Sequence, residues 1–337
     1  MDQPIKTGLL AFGMSGRLFH APFIHANPGF SLDAVAERNI KKAAQYYPQI
    51  KSYDTLDEVI NDPELELIIV NTPNYTHFEL AKQALQAGKH VLIEKPMAAT
   101  SAEAKELFDL GREVNREVFV YQNRRWDSDF KSVKEVLETN QLGKLIEVHF
   151  RYDRWRPEIG PKAFKEKPMP ASGILYDLGP HLLDQVISLF GKPLSFTKNI
   201  GRFRHLTEVP DYTFIHLQYP ENLNVFLTAS FLVAKALPAF TINGTRGTFI
   251  KQRADVQESQ LDKNISPLDL SYGLEEAGME GELTYINPEN GQMETTLIPA
   301  VKGDFMAIFD AVHQTIRERK PFPITEQDVL TQLSIIE

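Results

Sequence analysis

At 337 residues the chain is too long for one ordinary core and suits two domains. Hydrophobic residues make up 42% and charged residues 24%, the ordinary globular range, which excludes a disordered chain. The 36 basic and 45 acidic residues leave a net charge of -9, which argues against nucleic acid or an anionic membrane surface as partner, and the absence of cysteine excludes disulfides, thiolate catalysis and thiolate metal sites.

The N-terminus shows no basic segment followed by an apolar run, and no apolar stretch approaches the ~20 residues of a membrane-spanning helix, so a cytoplasmic protein is expected. Residues 5–11 form the apolar run of a first strand. Residues 16–25 have helical spacing, ended by the turn residues Asn27, Pro28 and Gly29. A second strand at 31–36 and a helix at 40–47 follow. The strand at 67–71 is wholly apolar in Leu-Ile-Ile-Val, as suits burial on both faces of a parallel sheet. Helical spacing over 76–87 stops at Gly88, and 91–94, 100–115 and 117–122 continue the alternation. This pattern predicts an open parallel sheet with helices on both faces.

From about Trp126 the rhythm changes. Residues 128–139 read as a helix, then strand-like runs follow at 145–153, 196–204, 212–219, 225–233, 239–243 and 248–251. Strands with few helices between them predict an α+β domain on a mostly antiparallel sheet. Within it, a helix opens at Pro180 and closes at Gly191, with Pro193 beyond. The polar stretch 253–291 reads as loops and short strands. Residues 304–318 form a helix, 321–323 break it, and 325–336 begin another that the end of the given chain interrupts, so it is expected to run on. The expected division is 1–123 for nucleotide and 124–337 for substrate and oligomerisation, with the last helices packing back on the first domain.

The first strand runs into Ala11, Phe12, Gly13, Met14, Ser15 and Gly16, a Gly-x-Gly-x-x-Gly dinucleotide fingerprint with alanine at its first glycine. Ala11 affects only the tight turn. Gly13 keeps the close approach to a pyrophosphate, Gly16 the helix–strand packing, and the helix N-terminus its free N–H groups. A plain strand-to-helix turn uses glycine too, but Glu37 adds to the case. It ends the second strand about 20 residues on, where a carboxylate accepts the ribose 2′-hydroxyl. Arg38 next to it suits a 2′-phosphate instead. Repulsion between Glu37 and such a phosphate favours NAD over NADP.

Ligands of open α/β sheets bind beyond the carboxyl ends of the strands. Glu94, Lys95 and Pro96 follow the strand at 91–94, and a lysine there approaches both the nicotinamide and a substrate hydroxyl; the plainer alternative is a surface lysine. Pro96 restricts the backbone of Lys95 and would fix its aim. In the second domain His181 falls in the first turn of its helix, and Asp177 precedes it by about one turn. The positive helix end disfavours imidazolium, while the carboxylate orients the ring, together giving the parts of a general base. A capping aspartate with a packed histidine has the same spacing. Asp177, His181 and Asp184 are also a conceivable zinc set, but no further ligand cluster supports a metal, and none is expected.

Taken in order, these motifs resemble the glucose–fructose oxidoreductase, inositol dehydrogenase and rhizopine-catabolism (Gfo/Idh/MocA) family over nearly the whole chain. Residues 13–23, 121–127 and 152–157 are similar to the branch containing NADP-type scyllo-inositol dehydrogenases. The resemblance implies an α/β N-terminal Rossmann domain and an α+β C-terminal domain with a large, mostly antiparallel sheet. It implies that Lys95 contacts cofactor and substrate, with a cis bond to Pro96, and that Asp177 and His181 are the catalytic pair. It places Thr72, Pro73, Asn74 and His77 in the cofactor loop, and Asn123 and Tyr152 near the substrate. Arg154, Trp155 and Arg156 are expected to line the pocket, the indole facing a sugar ring. The expected activity is NAD(P)-dependent hydride transfer at a secondary carbon of a sugar or cyclitol: His181 takes the hydroxyl proton, Lys95 stabilises the alkoxide, and Asp177 orients His181. A non-catalytic NAD(P)-sensing regulator, or a reductase of a non-sugar carbonyl of dihydrodiol or bilin type, are the alternatives. A homodimer or dimer of dimers through the second sheet is expected, since one face of that sheet needs cover.

Overall fold

The computed structural model describes residues 3–160 and 166–337. Six parallel strands, β1 (Ile5–Leu9), β2 (Phe30–Ala36), β3 (Lys51–Tyr53), β4 (Leu67–Val70), β5 (His90–Glu94) and β6 (Val118–Tyr121), pair in the order β3-β2-β1-β4-β5-β6. All four residues of β4 are buried, as their side chains require in a strand covered on both faces. Helices α1 (Ala21–Ala26), α2 (Ala43–Tyr46), α3 (Leu56–Ile60), α4 (His77–Gln86) and α5 (Ser101–Glu113) connect the strands. Thr55 and Glu58 close a capping box at α3, and Thr100 caps α5 by accepting from the Glu103 N–H. The strand order reverses between β1 and β4, which leaves a crevice at their carboxyl ends.

The second sheet has eight strands: β7 (Leu145–Asp153), β8 (Ser195–Gly201), β9 (Tyr212–Gln218), β10 (Asn224–Ser230), β11 (Phe240–Gly244), β12 (Gly247–Lys251), β13 (Gly281–Ile286) and β14 (Met293–Ile298). Their order is β14-β13-β12-β11-β7-β10-β9-β8, antiparallel except for β7 beside β10. Alternation along β7 buries Val148, Phe150 and Tyr152. The covering helices are α6 (Ser128–Glu138) and, after the short α7 (Ile174–Asp177), α8 (Gly179–Phe190). Phe130, Val133, Leu182, Leu183 and Val186 on α6 and α8 share one core with these strands.

After α9 (Gln257–Asp262) the chain returns to the first domain through α10 (Met306–Glu318) and α11 (Glu326–Ile336). Phe309 stacks on Phe23 at 5.3 Å, and Phe305, Ile308 and Val312 join the first core. α11 lies between the domains, with Val329 and Leu333 in one core and Ile335 and Ile336 in the other. Gln332 accepts from Gln122 Nε2 at 3.0 Å and donates to the Pro180 carbonyl at 2.8 Å, tying both domains to this helix. Among the described residues no helix is long and apolar enough to cross a membrane.

Several expectations shift. The first helix begins as a π-helical turn at Gly16–His20, and only Ala21–Ala26 is α-helical. The helix expected over 40–47 is reduced to Ala43–Tyr46, because Arg38, Asn39, Ile40, Lys41 and Lys42 are all exposed and offer no face to bury. Strands β3 and β14 and helices α3 and α7 were not distinguished in sequence, being short or mostly polar.

Arg125 locks this arrangement. Its Nε and Nη2 each donate to the Asp184 carboxylate on α8 at 2.8 Å, Nη2 reaches Asp328 on α11 at 3.3 Å, and Nη1 donates to the Pro323 carbonyl at 2.7 Å. Asp184 is buried, and burial pushes its carboxyl up despite the arginine. Arg125→Ala strands that carboxylate, so a loss of about 3–5 kcal/mol is expected in urea unfolding. An unchanged midpoint would contradict this role.

Candidate active site

A cavity of about 840 Å³ opens at the carboxyl ends of β1, β4 and β5, where the second domain covers the crevice. Gly13, Met14 and Ser15 line one end. Their loop is clamped by Asn71, whose Oδ1 accepts from the Ala11 N–H at 2.9 Å while its Nδ2 donates to the Ala11 carbonyl at 2.8 Å. This two-way bond explains how alanine serves in place of the first glycine. Around Gly13 an added Cβ meets nothing within 4 Å, because that side is the open cavity. At Gly16 it would lie 2.2 Å from the Ala11 carbonyl oxygen and 2.9 Å from Asn71 Nδ2, so this glycine is a packing requirement. The loop and its open side fit a dinucleotide pyrophosphate.

Behind the loop, Glu94 accepts from Ser15 Oγ at 2.6 Å and pairs with His20 Nε2 at 2.9 Å. Burial alone would raise the Glu94 carboxyl, but the His20 hydrogen bond and charge, the Ser15 hydroxyl and Lys95 outweigh it and hold it down to about 2. Glu94 is therefore an anion that anchors the loop. The Lys95–Pro96 peptide is cis. Lys95 Nζ crosses to the second domain, donating to the Asp177 carbonyl at 2.6 Å and standing 3.5 Å from Asp177 Oδ1.

His181 lines the same cavity. Burial first, then the charges of Lys95, Arg124, Arg154 and Arg253, holds its imidazole well below the ordinary histidine range. Burial and these four cations favour a neutral ring, where the expectation from sequence rested on the helix N-terminus. Its Nδ1 is buried without a hydrogen-bond partner among the described residues.

Ala11, Thr72, Pro73, Asn74, Asn123 and Arg154 also face the cavity. Asn74 Nδ2 donates to the Ala171 carbonyl at 3.1 Å, linking the loop after β4 to the second domain. Other expected residues sit elsewhere. The Phe12 ring packs on Tyr46 and Tyr47. His77 is buried, its ring nitrogens 2.8 Å from the Pro96 carbonyl and 2.9 Å from that of Thr72, so it braces two loops from behind the cavity, as does Pro96. Glu37 is a correction: its carboxylate accepts from the N–H groups of Lys42 at 2.7 Å and Ala43 at 3.2 Å and from Ser52 Oγ at 2.9 Å. Because α2 starts only at Ala43, its first N–H groups lie within reach of Glu37, which caps them instead of facing a ribose. Arg38 beside it is exposed, with no ion pair or hydrogen bond among the described residues.

Trp155 is the second correction. Its side chain is 57% exposed and does not line the cavity, because alternation in extended backbone turns it away from the side taken by Arg154 and Arg156. Tyr152 lies beneath that side, buried, with the guanidinium groups of Arg253, Arg154 and Arg124 at 4.3, 4.9 and 5.5 Å from its ring. It supports the wall without being the wall. Asp184, the third member of the conceivable zinc set, is committed to Arg125, and no cluster of three metal-ligating side chains exists among the described residues. Asn71, Arg124 and Arg204 also line the cavity and were missed in sequence; nothing in their local motifs distinguishes them from structural residues.

With this geometry in hand, comparison with known proteins is specific. Residues 5–122 match the oxidoreductase family model described as an NAD-binding Rossmann fold, and residues 134–337 match the family's C-terminal alpha/beta domain. An uncharacterized oxidoreductase of Schizosaccharomyces pombe is 37% identical, covering 99% of this chain and 96% of its own. The scyllo-inositol 2-dehydrogenase (NADP(+)) IolW of Bacillus subtilis is 34% identical over 99% of this chain and 92% of its own. The crystal structure of an oxidoreductase from Bacillus cereus superposes with a TM-score of 0.90 at 34% identity, covering 98% of this chain and 94% of the other. The chain belongs to the Gfo/Idh/MocA oxidoreductase family.

The two glycines separate cofactor contact from packing. Gly13→Val fills the open side of the loop, so affinity for the nicotinamide dinucleotide should drop about tenfold or more with thermal stability near wild type. Gly16→Ala should lower both. Equal effects on stability from the two variants would refute the distinction.

Proposed function

We propose that this family member is an NADP(H)-dependent dehydrogenase acting on a secondary alcohol of a sugar or cyclitol. The observation that carries the proposal is the meeting of Lys95, Asp177 and His181 in the one cavity whose other end is the Gly13–Ser15 loop. The bound nicotinamide supplies the hydride acceptor in oxidation and the donor in reduction. His181, neutral near pH 7, accepts the proton of the substrate hydroxyl as its C–H bond breaks. Lys95, fixed by the Asp177 carbonyl, stabilises the negative charge that develops on that oxygen. Asp177 holds the lysine and hydrogen-bonds a neighbouring hydroxyl. In the reverse direction His181 returns the proton to the carbonyl oxygen.

Two observations favour NADP over NAD, reversing the expectation from sequence. Glu37 is turned onto the first N–H groups of α2 and Ser52, away from a ribose, while Arg38 stands exposed at the end of β2 without an internal partner among the described residues. IolW, 34% identical, is named for NADP(+) and scyllo-inositol. Pairing of two copies through the outer face of the second sheet belongs to the same proposal, since the stacked rings of His149, Phe214, His216 and Phe226 are left only half-buried on that face.

Turnover of scyllo-inositol, myo-inositol, glucose and xylose, followed at 340 nm with each cofactor, tests this function. Lys95→Ala and His181→Asn should each lower kcat by about 100-fold or more while leaving NADPH affinity largely intact. Wild-type turnover in either variant would remove that residue from the mechanism. Arg38→Ala should raise the Kd for NADPH about tenfold or more and change that for NADH little; equal effects on both cofactors would defeat the NADP assignment.

A further inference from the structure

Resting on that dehydrogenase reading, we propose that the physiological substrate is an anionic polyol, bearing a carboxylate or a phosphate that Arg154 and Arg156 bind. Most of the charge lining the cavity is matched inside the protein. Glu94 is held by Ser15 and His20, Arg124 donates to Glu258 at 2.8 Å, and Arg204 donates to Glu166 at 2.7 Å and to Asp211 at 3.2 Å. Arg154 and Arg156 face the same cavity and differ. Neither has a carboxylate within ion-pair distance among the described residues. The polar contact of the Arg154 guanidinium is the Tyr152 hydroxyl at 3.5 Å, and the Arg156 guanidinium rests 5.9 Å from the centre of the Phe231 ring.

Their position assigns them to the substrate. Arg154 is among the charges that depress His181, so it stands at the reacting end of the cavity. Arg156, two residues along an extended segment, shares its face. The nucleotide phosphates have their own places, at the Gly13–Ser15 loop and beyond β2 at Arg38. The two arginines are also held in place. Arg154 lies over the Tyr152 ring, with Arg253 and Arg124 against the same ring, and the Arg156 N–H donates to the Phe231 carbonyl at 2.7 Å. Two guanidinium groups without carboxylate partners on one wall of the cavity present a charge that an entering anion compensates. Their planar donors suit carboxylate or phosphate oxygens, whereas a neutral polyol leaves both charges uncompensated.

The test compares matched substrates: glucose, glucuronate for the carboxylate, and glucose 6-phosphate for the phosphate. Each is measured as kcat/KM and as binding to the NADPH-loaded protein by nucleotide fluorescence. Binding and turnover should favour one of the anions over glucose by about tenfold or more, and whichever anion is favoured identifies the group. Arg154→Gln and Arg156→Gln should each cut that preference about tenfold, mainly through KM, and Arg156→Lys should restore part of it. Arg156 is exposed, so its variants test the site without threatening the fold. Arginine-dependent binding of an anion without any turnover would sustain the anion site and sink the dehydrogenase reading. Equal or better binding of glucose, a preference that survives both arginine variants, or no binding of either anion would overturn the anionic substrate.

Discussion

One hydrogen bond joins the two domains where their chemistry meets, from Lys95 Nζ at the end of β5 to the carbonyl of Asp177 at the end of α7. The last carbonyls of a helix lack partners within it, and a cation is the natural donor to one of them. This contact gives the lysine a fixed aim and fixes the start of α8, where His181 sits. Asp177 and Lys95 thus act together through the backbone as well as through charge. The surrounding contacts serve to hold the two domains so that this bond can form. Arg125 on Asp184 and Asp328, and Gln332 between Gln122 and Pro180, all cross the same junction.

Charge, and not only shape, determines what the cavity can do. His181 is buried among cations, which forces it neutral and able to take a proton. At the opposite end Glu94 stays anionic, because His20, Ser15 and Lys95 overcome the cost of its burial. The ring of Tyr152 lies against the faces of three guanidinium groups, which gathers positive charge at one wall; Arg124 is paired with Asp127 and Glu258, Arg253 stands beside Asp127 and Asp129, and Arg154 has no carboxylate partner among the described residues. Such concentrated charge is expensive in a free protein. It is also what gives a preorganised site its strength when an oxyanion develops.

Much of this was legible in sequence. Alternating apolar runs gave the parallel sheet, and the positions of Gly13, Gly16 and Lys95 after strands located the crevice. Asp177 and His181 were visible as a pair at a helix opening. Glu37 was misleading because its spacing from Gly16 is that of a ribose acceptor. Its fate depended on where α2 begins, and the exposed run from Arg38 to Lys42 gave no periodic signal of a start at Ala43. Trp155 was misread because the register of an extended segment decides which of two neighbours faces inward, and one residue of shift exchanges them.

The sequence by itself determined the two kinds of sheet, the loops at the strand ends and the residue types available for proton and charge transfer, since these follow from short-range periodicity and turn chemistry. Tertiary structure alone decided which of those residues share a cavity and what surrounds them. Arg124, Arg154 and Arg253 come from separate segments and gather on one tyrosine only after the second sheet is packed. Asn71 meets Ala11 only across adjacent strands of the first. Hydrogen bonds and electrostatic fields depend on distances in space, and local patterning carries no record of which distant segments will be brought together.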